Sequence, residues 1–253
     1  GESFFFTIMH PQTYEPRTYR TRMAREGLVG FRVAVKETDL WVLAERDFTR
    51  QVREVVVQER RQLEAYIAAH PGFLETLAPW PDDPFAPPVV KEMIAAARRV
   101  GVGPMAAVAG ALAERVGQAL SSLSEEVIVE NGGDLFLSIR RPATVALYAG
   151  KSPLSRRVGL KIDPALSPLG VCTSSGTVGH SFSFGRADAA CVLASSAALA
   201  DAAATALGNR VPDAEGIHLA LGWAARVPEI IGAVVIVGDK LGVWGRVELG
   251  PLT

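Results

Sequence analysis

The chain has 253 residues, 49% hydrophobic and 21% charged, enough to bury a core of one or two domains without structural metal. Its 26 Lys and Arg against 27 Asp and Glu leave a net charge of −1, which excludes the basic excess of a dedicated nucleic-acid binder. Two cysteines, Cys172 and Cys191, exclude a disulfide framework and fit a reducing cytoplasm, and no apolar run reaches the ~18–20 residues of a membrane span.

Gly1–His10 holds Phe4, Phe5 and Phe6 but lacks a basic start and a small-residue cleavage site, so it does not read as a signal peptide, and the expected compartment is the cytoplasm. Phe31, Val33 and Val35 alternate with polar or small residues, and Leu40–Leu43 is apolar; this predicts two strands around a turn. Phe48–Ala69 carries Val52, Val55, Val56, Leu63, Tyr66 and Ile67 near helical spacing, stopped by His70-Pro71-Gly72. Pro79–Pro88 is proline-rich and reads as a surface loop. Val89–Val100 is helical again, with Gly101 as its stop. Pro104–Leu123 is predicted as a helix rich in small residues; Gly110 and Gly117 inside it imply close approach of another backbone, by tight packing on a sheet or by a ligand. Val127–Glu130 and Leu135–Ile139 flank Asn131-Gly132-Gly133-Asp134, a tight hairpin signal. Extended runs follow at Thr144–Tyr148, Val158–Ile162, Gly170–Thr173 and Ala187–Ala194. Ala197–Leu207 is an alanine-rich helix stopped by Gly208-Asn209, Asp213–Arg226 a further helix, and Ile230–Val237 and Val243–Leu249 the last strands. No repeat of 20–50 residues is present, and the irregular mixture predicts α+β.

Four constellations carry candidate chemistry. Thr173, Ser174, Ser175, Gly176 and Thr177 precede Gly179-His180 and could offer hydroxyls and backbone N–H groups to an anion or phosphate; the plainer reading is a polar loop satisfying its own backbone. Cys172 beside them becomes a nucleophile if a protonated His180 or free N–H groups lower its pKa, and an inert buried thiol otherwise. Asp201 and Thr205 stand i,i+4 on an alanine helix, two oxygens on one face that suit a hard cation such as Mg²⁺, or an acid favoured by a helix start. Glu130, Asn131, Gly132, Gly133 and Asp134 could bind ribose hydroxyls or an amine, or simply close a hairpin. Arg17, Arg20, Arg22 and Arg25 with Tyr14 and Tyr19 read as a solvated or ion-paired face, and His10, His70 and His218 have no partner at zinc spacing.

Gly103–Gly110, Val129–Asp134, Thr173–Gly176 and Ala200–Thr205 stand in the order found in the ApbE-like proteins, which the chain resembles. These are flavin transferases that move FMN from FAD to a Thr of a target protein using Mg²⁺. The likeness is greatest to a shorter, functionally uncharacterised branch, from Tyr19-Arg20 through Glu37–Leu40 to Gly208-Asn209. It implies an α+β fold related to the T-fold, one domain over 1–253 with two similar halves. It also implies Mg²⁺ at Asp201 and Thr205, and FAD or FMN near Gly132, Gly133 and Asp134. Three departures argue against FMN transfer itself: Ala109 stands where the transferases have Lys, Glu114 replaces their Asp, and their His-Ile-x-Asp-Pro-x-Thr-Gly stretch gives way to His180–Gly185. The expected partner is therefore a small molecule, a flavin or nucleotide-type ligand held with a divalent cation, with neither nucleic acid nor membrane, and a homo-oligomer is left open. Two other readings compete. One is sulfur assimilation or persulfide handling by Cys172, to which that branch has been linked. The other is a non-catalytic binding protein on the same scaffold.

Overall fold

The computed structural model describes residues 5–7, 25–175 and 185–252. A short strand β1 (Phe5–Thr7) is followed by the hairpin β2 (Val29–Val35) and β3 (Thr38–Ala44), whose turn uses Lys36 at φ 52°. Helix α1 (Thr49–Ala69) buries Val52, Val56, Leu63 and Tyr66, the apolar stripe expected of its spacing. A single turn, α2 (Gly72–Glu75), places Phe73 against the Trp80 ring, which anchors the proline-rich loop on the surface. Helix α3 (Pro88–Val100) starts with Pro at its first turn and ends on Gly101 at φ 77°. The predicted helix at 104–123 is a 3₁₀ turn, Pro104–Ala107, then α4 (Val108–Leu120).

The second half is strand-rich. The hairpin β4 (Val127–Asn131) and β5 (Asp134–Ser138) precedes β6 (Ala143–Ala146), β7 (Val158–Ile162), β8 (Leu169–Ser174) and β9 (Ala189–Ala194). Helix α5 (Ala197–Gly208) buries every residue except Asp201 and Thr205. Helix α6 is shorter than expected, Ile217–Ala224, because Asp213 accepts a bond from Gly216 N at 2.9 Å and holds 213–216 as a turn. Strand β10 (Ile230–Val237) pairs with β11 (Lys240–Gly245). The single last strand predicted at 243–249 is divided: Gly245 at φ 82° turns the chain, and β12 (Glu248–Pro251) joins the other sheet.

The strands form an eight-stranded antiparallel sheet, β11-β10-β9-β8-β5-β4-β3-β2, and a four-stranded sheet, β1-β6-β7-β12. Of the five helices longer than one turn among the described residues, α1, α4, α5 and α6 pack on the large sheet, and α3 packs against α1, α4 and α5. One apolar layer, including Met93, Val192 and Leu207, joins helices to that sheet, and another, including Leu137, Leu160 and Ile236, fills the space between the two sheets. The mixed α+β architecture is thus observed.

Arg25 is not on a solvated face. Its guanidinium is buried and donates to Glu126 Oε1 at 2.7 Å, while Arg141 donates to Oε2 at 2.7 Å and Arg140 N to Oε1 at 2.8 Å. Burial pushes the Glu126 carboxyl up, but Arg141, the Arg140 N–H and Arg25 outweigh it and hold it at about 2. Because the folded value lies below the ordinary 4.5, this contribution to stability is full above pH 4.5 and fades as pH falls toward 2. Glu126→Gln strands a buried guanidinium and is expected to cost about 3 kcal/mol at pH 7. Urea denaturation should show that gap closing between pH 4.5 and pH 2; a gap independent of pH would refute the assignment. The other members of the arginine group, Arg17, Arg20 and Arg22, with Tyr14 and Tyr19, lie outside the described residues.

Candidate functional site

Strand alternation decides which predicted residues meet. Asn131 and Asp134 close the β4–β5 hairpin, with Gly132 at φ 64° and Gly133 at φ 109° as its two turn residues. A side chain at either glycine would strain the turn. Asn131 and Asp134 face the helical side of the large sheet, where Asn131 Nδ2 donates to Ala109 O at 3.0 Å. Beside Asp134 on that face lies Cys172 of β8, packed in the helical layer. Glu130 alternates to the opposite face, is fully buried, and accepts from Gly133 N at 3.0 Å. Thr173 also points to that opposite face, where its partner is Cys191. The predicted hydroxyl loop is therefore in part a strand: Thr173 and Ser174 belong to β8, are buried, and look to different faces, with Ser175 buried just after it. Gly176 and His180 lie outside the described residues.

Helix α5 crosses this face and brings Asp201 in. Gly170 makes room for it, since a Cβ there would lie 2.4 Å from Ala197 Cα. Gly110 does the same on α4, where a Cβ would lie 2.2 Å from Ala197 O and 2.8 Å from Asp201 Cβ. The reason for Gly110 is thus a helix–helix contact, and for Gly117 the Phe136 ring on the sheet. Asp201 Oδ2 accepts from Gly110 N at 2.9 Å and the carboxylate also takes the Ala109 N–H. It therefore caps α4, a helix with no side-chain cap of its own, rather than serving the start of α5. Glu114 is used in the converse direction: it accepts from Ser196 Oγ at 2.8 Å and from Ala198 N at 3.1 Å, which ties down the start of α5.

The electrostatics of the cluster are unusual. Burial pushes Asp134 up to about 7, Glu130 adds to it, and bonds from the Cys172 thiol and Thr173 N–H only partly oppose it. Burial and the charge of Asp134 likewise raise Asp201 well above the carboxylate range, despite its two backbone bonds. Among the described residues, the ionisable groups acting on these two carboxylates are thus acids. Ala109, in contact with both Asn131 and Asp201, supplies no cation. Thr205 is the other partly exposed position of α5, one turn along on the same face.

Cys172 is held as a thiol. It is completely buried, lies 3.5 Å from Ala197 O, and is pushed well up by burial and by the charges of Asp134, Asp201 and Cys191. That is the opposite direction from the one a thiolate nucleophile needs. Burial also raises Cys191, to about 12. Among the described residues no group of three or more His, Cys, Asp and Glu forms a metal cage, so a cation here would take Asp201, Thr205 and Asp134 as partial ligands and complete its shell from water or ligand oxygens. Sequence reasoning named Ala109 and Glu114 only as departures from the transferase pattern; that the Ala109–Gly110 N–H pair holds Asp201 and that Glu114 holds the start of α5 comes from the structure.

The fold and the chain both have relatives. The flavin transferase ApbE from Vibrio cholerae superimposes with a TM-score of 0.53 at 16% identity, over 86% of this chain and 96% of that one. The ApbE protein of Thermotoga maritima gives 0.53 at 13% identity, over 85% and 96%. These likenesses establish a shared fold. The chain is 44% identical over 213 residues to a UPF0280 protein of Methanocella arvoryzae, covering 84% of this chain and 86% of that one. It is 40% identical over 222 residues to a UPF0280 protein of Methanocaldococcus jannaschii, covering 85% and 90%. No helix among the described residues is long and apolar enough to cross a membrane. The model of the family described as AbpE bacteria matches residues 20–226, and with these relatives it shows that the chain belongs to that ApbE-like family.

Proposed function

We propose that this protein binds a flavin or nucleotide-type ligand together with a divalent cation, without transferring FMN. The observation that carries the reading is the pair Asp134 and Asp201: two carboxylates from distant elements, both pushed up by burial, Asp201 also by the charge of Asp134 and Asp134 by that of Glu130, with no base among the described residues acting on either. Such a pair is relieved by a proton or a cation. A hard divalent ion suits its oxygens, with Thr205 as a third, and would link them to ligand phosphates. The flavin part of the reading comes from the structural neighbour named as a flavin transferase. Transfer is excluded from the proposal because phosphoryl chemistry depends on positioned cations. Ala109 provides none, and the carboxylate of Glu114 is spent on Ser196 and Ala198. Cys172 acts in this scheme as a neutral donor to Asp134, and the sulfur-handling reading gains nothing from a thiol held protonated.

Calorimetric titration of the protein with FAD, with and without Mg²⁺, tests the proposal. Binding that weakens at least about tenfold in chelator is expected, equal to about 1.4 kcal/mol. No heat at millimolar FAD with Mg²⁺ present, and none with ADP, would overturn it.

A further inference from the structure

We infer that β11 is an interface strand, pairing antiparallel with β11 of a second copy of this chain about a two-fold axis at Gly242. Among the described residues β11 ends the large sheet, bonded to β10 alone. Lys240 and Val237 close the hairpin around Gly238-Asp239, so they form a hydrogen-bonded pair. By alternation Gly242 and Trp244 also bond β10, and the N–H and C=O groups of Leu241 and Val243 point outward. Free edges of this kind are normally guarded by charge, proline or a bulge. The opposite edge has Arg32 at the centre of β2, ion-paired to Asp39. Strand β11 carries its charge only at its first residue, Lys240, and along its length exposes two apolar side chains on one face, Leu241 at 37% and Val243 at 47%.

The strand is complementary to itself in one register. An axis perpendicular to the sheet requires facing residues to share a face, so the two numbers must sum to an even value. Centred on Gly242, the pairing sets Leu241 of each copy against Val243 of the other in a hydrogen-bonded pair, and Lys240 beside the Trp244 ring. Centred on Val243, it sets Lys240 against Arg246, both exposed, and like charges directly opposite are unfavourable. Centred on Leu241, it leaves Val243 opposite Asp239. Charge and apolar matching therefore both select Gly242.

Helix α6 adds area to the joint. It contacts β10 and β11, with Ile217 and Leu221 filling the space above Gly242. A helix seated between those strands lies about one strand spacing from the axis. Its symmetry mate is then about 10 Å away, a normal helix-packing distance.

The test is light scattering with sedimentation equilibrium on the full chain, together with Val243→Lys, an exposed position whose change leaves the β10 bonds intact. The wild type should be a dimer at micromolar concentration, and Val243→Lys should weaken association at least about a hundredfold with unchanged circular dichroism. For the register, Leu241→Cys and Val243→Cys chains are mixed and oxidised. Cross-links should form between the two variants and far less within either, and the buried Cys172 and Cys191 stay silent. A monomeric wild type, a dimer indifferent to Val243→Lys, or equal cross-linking of Leu241→Cys with itself would each overturn the inference. None of these readouts involves ligand binding, so they stand apart from the proposed function.

Discussion

Gly110→Ala is expected to destabilise the protein by at least about 3 kcal/mol, lowering Tm by roughly 6–12 °C for a chain of this size. Ala is the better helix former by about 1 kcal/mol, so propensity alone predicts a gain. The geometry reverses the sign. The new Cβ would lie 2.2 Å from Ala197 O and 2.8 Å from Asp201 Cβ, and the first of these is backbone that no rotamer change can move. Either α4 or α5 must shift, and the shift breaks the 2.9 Å bond from Gly110 N to Asp201. The same helix pair carries Glu114 to Ser196 and Ala198, so both mutual caps loosen together. Gly222→Ala is the control: its Cβ meets nothing within 4 Å, so it should stabilise by about 0.5–1 kcal/mol. Thermal denaturation of both variants checks the pair of signs. An unchanged Tm for Gly110→Ala would mean that α4 and α5 are not in close contact.

That contrast also shows which parts of the molecule could be read from sequence. Local signals worked where local physics decides the outcome. Pro88 and Gly101 bound α3, Gly132 and Gly133 turn β4 into β5, and the alanines of α5 leave Asp201 and Thr205 as its two positions that are not buried. The four motifs were adjacent only through the family resemblance, which the shared fold supports. What escaped was set by contacts between distant segments. Arg25 meets Glu126 across 101 residues, and Asp201 caps α4 from 91 residues away. No spacing rule contains such pairings. Strand β12 leaves the strand predicted before it because Gly245 adopts φ 82°, which a run of apolar residues does not reveal. Thr173 and Ser174 were grouped as neighbours in a loop; a strand's two-residue period sends them to opposite faces.

The acid pair makes the largest prediction about function. Asp134 has a folded value of about 7 against an ordinary 3.8, so between those values the native chain holds a proton that the unfolded chain has released. Stability must therefore fall as pH rises from about 4 to about 7, and the loss persists above. Asp134→Asn keeps the shape and removes the charge. It should match the wild type near pH 4 and exceed it at pH 8 by a few kcal/mol, at about 1.4 kcal/mol per pKa unit. Asp201→Asn retains an oxygen to cap α4 and should behave alike, whereas Asp201→Ala also loses the cap, a further cost of about 1 kcal/mol. A divalent cation competes with the same proton. Mg²⁺ should raise the wild-type Tm at pH 8 and lose that effect near pH 5, where Asp134 is protonated. In Asp201→Asn the Mg²⁺ response should vanish at both pH values, although the fold is at least as stable. A variant that gains stability at pH 8 yet still responds fully to Mg²⁺ would separate the strained acids from the cation, and the proposed site would then have to lie elsewhere.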